Sequence, residues 1–82
     1  MKGDEKMIGN IVKAAANIKN ADRKILAEAL NISPQALSNK YSRDSFSGID
    51  LIKIADACGY RLAFVDEQGK AVIAFPKINK EG

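Results

Sequence analysis

Gln35 and Asn39 offer the most specific recognition chemistry in this chain. Each primary amide sets a hydrogen-bond donor beside an acceptor, the pair that a bidentate contact with an adenine edge requires. Four residues apart on a helix, they share one face. Ser38 lies on the same face and can meet several bases, and Ala36 offers a small apolar contact for a thymine methyl group. Around this polar set stand groups suited to phosphate: Arg23 before it, Lys40 and Arg43 after it, and Ser33 with the N–H groups at helix starts. No acid occurs between Ser33 and Arg43. Outside a suitable scaffold the same residues would be an ordinary solvated surface, so the elements that hold them decide the reading.

Those elements lie in the stretch from Arg23 to Ser42, which reads as two short helices joined by a tight turn. Leu26, Ala27 and Leu30 mark the first helix. Asn31 ends it, because Asn tolerates the left-handed conformation of a sharp turn. Ile32 plugs the corner. Ser33 can cap the second helix, and Pro34 suits its first turn, where a missing N–H is harmless. Leu37 and Tyr41 point inward, although the Tyr41 hydroxyl could instead serve a phosphate. Gln35, Ser38 and Asn39 are left outward, the pattern of a helix-turn-helix that reads DNA.

The pattern Leu26-Ala-Glu-Ala-Leu-Asn-Ile-Ser33 followed by Gln35-Ala-Leu-Ser38 resembles the phage-repressor (Cro/repressor, XRE-like) helix-turn-helix family, and in particular small phage-related regulators with a C-terminal β-hairpin. The resemblance spans roughly Met7 to Phe75. It implies a mainly α fold, a lambda-repressor-like bundle of about four helices with the hairpin after it. Two residues depart from the family pattern. Asn31 stands where Gly is usual in the turn, and Arg23 stands where Gln often contacts a phosphate.

The rest of the chain fits one domain over residues 4–75. A first helix over about 4–16 starts at Asp4 and carries Ile8, Ile11, Val12 and Ala15 as its apolar stripe; Gly9 weakens it. Asn17 to Ala21 connects, with Ile18 tucked inward. Asp22 caps a helix over 22–30 whose inward face is Ile25, Leu26, Ala29 and Leu30, with Ala27 small enough for close approach. The reading helix spans about 33–42, and Phe46 anchors the loop after it. Ser47 and Asp50 form a capping-box-like start for a helix over 47–58. Its apolar positions are Leu51, Ile54, Ala55 and Cys58, and Gly59 stops it. The period then changes to two, giving a hairpin over 60–75 that turns at Asp66–Lys70 with Gly69 at positive φ. Residues 1–3 and 76–82 read as flexible tails.

Composition narrows the classes of function. The 82 residues carry no His and a single Cys, which excludes an internal disulfide and leaves little for zinc or for nucleophile–base catalysis. No metal, cofactor or enzymatic activity is expected. No apolar run reaches membrane-span length and no signal-peptide core follows Met1, so a cytoplasmic protein is expected. The net charge of +3 lies wholly in residues 1–42, the half that holds the reading helix.

The hairpin is apolar on both faces, with Leu62 and Phe64 on one, Ala63 and Val65 on the other, and Val72, Ile73 and Phe75 on the return. One face can pack on the helices, and the other needs a partner. Leu62, Phe64, Val72, Ile73 and Phe75 are therefore expected in a homodimer interface. The expectation is a sequence-specific regulator of double-stranded DNA, a repressor reading a near-palindromic operator as a homodimer. The alternative is a protein-interaction module (antitoxin, antirepressor or inhibitor) that uses the same scaffold and the apolar hairpin.

Overall fold

In the computed structural model, which describes residues 7–77, four helices precede one hairpin: α1 (Met7–Ile18), α2 (Arg23–Leu30), α3 (Pro34–Arg43), α4 (Gly48–Ala57), β1 (Ala63–Val65) and β2 (Ala71–Ala74). The expected Asp4 cap lies outside the described residues. Among these residues no helix is long and apolar enough to cross a membrane.

Local side chains set the helix boundaries. Asp22 Oδ1 accepts from the Ile25 N–H at 3.0 Å, and Ser33 Oγ accepts from the Ala36 N–H at 3.0 Å, each satisfying an amide without an intrahelical partner. Ser47 and Asp50 close a full capping box at the start of α4. Asn31 ends α2 at φ 60°, and the Ile32 N–H folds back onto the Ala27 carbonyl at 3.0 Å. Gly59, at φ +81°, lets the Tyr60 N–H return to the Ala55 carbonyl at 2.7 Å.

The core gathers Val12 and Ala16 of α1, Leu26, Ala27 and Leu30 of α2, Leu37 of α3, Ile54 of α4 and Cys58 just after it. Ile32, Tyr41, Phe46 and Leu51 pack against it, and the Tyr41 and Phe46 rings meet edge-on at 5.4 Å. Burial raises the pKa of the Cys58 thiol against the opposing pull of Lys19, so the thiol stays protonated and packs as a small apolar group.

Several expectations of the sequence are corrected here. α1 continues to Ile18, two residues beyond the expected end, and its buried stripe is Gly9, Val12 and Ala16 instead of one led by Ile8 and Ile11. Ile11 is 63% exposed and Ile18, expected inward, is 74% exposed. Small residues face inward because α1 runs close against α3: a Cβ on Gly9 would sit 3.3 Å from both the Tyr41 ring and Asp44 Oδ1. A branched chain does not fit at position 9, although Val12 is buried farther along the same stripe. Ile25 of α2 is likewise exposed, while Ala27 occupies the buried place beside Leu26.

The hairpin is also shorter than expected. Tyr60 to Leu62 is not strand; the Tyr60 hydroxyl donates to the Ala15 carbonyl at 2.8 Å and ties the α4–β1 link onto α1. The strands pair Ala63 with Ala74, Phe64 with Ile73, and Val65 with Ala71, which leaves Val72 as an extra residue on β2. Asp66 Oδ1 accepts from the Gln68 and Lys70 N–H groups, and Gly69 takes φ +83° in the turn. Among the described residues nothing covers either face of the strands: Phe64, Val65, Val72 and Ile73 are exposed, and Leu62, Ala63 and Phe75 are half-buried.

Candidate nucleic-acid interface

α3 divides sharply by face. Leu37 is fully buried, whereas Gln35 and Asn39 are exposed on the opposite side. The core thus holds the helix from beneath and leaves two amides free to meet a ligand. Ser38 is half-buried and its Oγ accepts from Arg23 Nη1 at 3.3 Å. Arg23, at the first turn of α2, is thereby brought beside the exposed face of α3. Ala36 is half-buried next to the exposed Gln35, and its amide is engaged by Ser33.

The cations divide into two groups. Arg43 is exposed in the last turn of α3. Lys40 is held inward, with its ammonium 2.9 Å from Asp50 Oδ2, and this ion pair braces α3 against α4. A phosphate contact by Lys40 therefore competes with an internal partner. Burial opposes the charge on Asp50, but the Ser47 N–H, the hydrogen bond and charge of Lys40, and the Ser47 hydroxyl outweigh it and hold the carboxyl below its usual range. The sign for stability follows. A depressed carboxylate stabilises the fold above its unfolded pKa, about 3.9, and that contribution is lost as pH falls through the lower folded value. Asp50→Asn is expected to destabilise the protein by about 1 kcal/mol at neutral pH, with the difference from wild type closing below about pH 4. Urea unfolding between pH 7 and pH 2 measures both.

Two contributors were not visible in the sequence. Lys13 of α1 sets its Nζ 5.1 Å above the Tyr41 ring, and a cleft of 300 Å³ lined by Lys13, Asn17, Asp22, Arg23 and Tyr41 opens between α1 and the helix-turn-helix pair. Desolvation raises the Tyr41 pKa, against the lowering effect of Arg23, so its hydroxyl stays a neutral donor. A lysine on an amphipathic helix carries no sequence signal for such a place. The second is Asp44. At φ 55° just after α3, it accepts from the Gly9 N–H at 2.6 Å and the Ile8 N–H at 3.3 Å. It thus caps the start of α1 from 35 residues away and fixes Lys13 relative to α3. No local pattern reveals a cap supplied from so far along the chain.

A capped helix pair joined by a left-handed residue, with the second helix buried on one face and bearing free amides on the other, defines a helix-turn-helix DNA-binding module. Residues 9–66 match the model of the bacteriophage CI repressor helix-turn-helix domain, and the chain belongs to that family of DNA-binding regulators. The matched span holds all four helices except the first two residues of α1, and it ends before β2. Neither the curated proteins nor the solved structures yield a match.

Proposed function

We propose that this chain is a transcriptional repressor that occupies a near-palindromic operator as a homodimer, with α3 of each copy in the major groove. One observation carries the reading: Gln35 and Asn39 stand free, four residues apart, directly across α3 from the fully buried Leu37. The two amides read adenine, Ser38 positioned by Arg23 supplements them, and Ala36 takes a thymine methyl group. Arg43, Arg23 and Lys13 bind phosphate, with Ser33 and the first amides of α2 and α3 alongside. Lys40 contributes chiefly by holding α3 on α4. The unpartnered apolar hairpin joins two copies through residues including Leu62, Phe64, Val72, Ile73 and Phe75.

Arg43→Ala tests the phosphate assignment. It is expected to weaken binding to all duplexes alike and to lower the slope of log affinity against log salt by about one. An unchanged slope would remove Arg43 from the interface. The exposed hairpin also favours a second reading, a protein-interaction module that seats a different partner there; a ligand held in the absence of DNA would mark it.

A further inference from the structure

We infer that two copies join edge to edge through β1, in one register, to make a four-stranded antiparallel sheet ordered β2-β1-β1-β2. This rests on the homodimeric reading above and specifies its geometry. In the hairpin, Leu62 O accepts from the Phe75 N–H at 2.8 Å and the Asp66 N–H donates to Lys70 O at 2.9 Å, with Phe64 paired to Ile73 between them. Residues 62, 64 and 66 therefore turn their backbone groups toward β2. By strand alternation Ala63 and Val65 turn theirs to the outer edge.

The two outer edges differ. On β2 the extra residue Val72 breaks the regular spacing, and Pro76, at an outward-facing position after Phe75, brings no N–H. A bulge and a proline are the devices that discourage pairing at an edge. β1 has neither, and Ala63-Phe64-Val65 carries no charge to repel a second strand. The regular edge is the one open to a partner.

Charge selects both the occupant and the register. A two-fold axis through Phe64 puts Ala63 of each copy opposite Val65 of the other, so the outward-facing groups pair with each other. The same register brings Arg61, two residues before β1, toward Glu67 of the partner subunit, two residues after it, twice by symmetry. A slip of two residues along the strand loses this match. On the other face the two Phe64 side chains meet at the axis, joining the apolar faces that each hairpin builds from Phe64, Ile73 and Phe75; the Phe64 and Phe75 rings already lie 5.3 Å apart within one chain.

Oxidative cross-linking and charge reversal test the register. Directly opposed residues of a non-hydrogen-bonded pair have Cα atoms about 4.5 Å apart, within the disulfide range of about 4.4–6.8 Å. Phe64→Cys is expected to form a covalent dimer under mild oxidation, whereas Val72→Cys and the wild type, whose cysteine is buried, are not. Arg61→Glu and Glu67→Arg should each raise the dimer dissociation constant about tenfold, and the double reversal should restore it. Cross-linking through Val72→Cys instead, or a double reversal that restores nothing, would overturn the β1 pairing. Sedimentation of the wild type separates the two levels. A monomer at all concentrations defeats the homodimeric reading itself, while a dimer indifferent to these variants defeats only this edge.

Discussion

Leu37→Ala is expected to cost about 2–5 kcal/mol of stability, the largest effect of any single truncation in α3. Leu37 is fully buried where α3 meets the core, and Ala would leave a cavity that α2 cannot fill without shifting Leu26 and Leu30. A chain of this size has a total stability of roughly 4–12 kcal/mol, so the variant should lose a large share of it and melt well below the wild type. DNA binding would fall with it although Leu37 faces away from the exposed amides. Leu37→Met keeps the volume and should lose less than about 1.5 kcal/mol. Urea unfolding of both variants measures this, and a Leu37→Ala protein within 1 kcal/mol of wild type would mean that α3 is not seated through this residue.

Asn39→Ala and Gln35→Ala should do the opposite. Both side chains are exposed, so stability should change by no more than about 0.5 kcal/mol. Specific binding should weaken by about 1–3 kcal/mol for each substitution, about fivefold to more than a hundredfold, while affinity for unrelated duplexes stays the same. The contrast matters because Leu37 and Asn39 sit two residues apart on one helix: one substitution removes the support and the other removes the reader. Normal operator affinity in both amide variants would strip α3 of its base-reading role.

The caps were legible in the sequence because they are local. Asp22, Ser33, Asn31, the Ser47–Asp50 box, Gly59 and Gly69 each act within a few residues of themselves, and each takes the place their chemistry requires. The face that α1 buries was not legible. Its apolar residues cover so much of the helix that periodicity allows more than one inward stripe, and the choice depends on how closely Tyr41 approaches Gly9. Ile18 and Ile25 follow the same lesson, since hydrophobicity favours burial but fit decides it. The hairpin was found but overextended, because Tyr60 alternates like a strand residue while its hydroxyl binds Ala15 of α1.

In the candidate site, the residue types and their spacing named Gln35, Asn39, Ser38 and Arg23, and the structure brings the last two into contact. The contributions of Lys13, of Asp44 and of Asp50 as the partner of Lys40 depend on pairs far apart in the chain or on different helices. A single sequence gives no register between such segments.

In-vitro selection of random duplex DNA by the purified protein tests the DNA-reading function most directly. Enrichment of a two-fold symmetric site, with adenines placed for Gln35 and Asn39 in each half, is the expected result, and the spacing of the half-sites would report how the two copies are arranged. A folded protein that enriches no sequence at low salt would contradict base reading by α3 and shift the function to a protein partner on the hairpin.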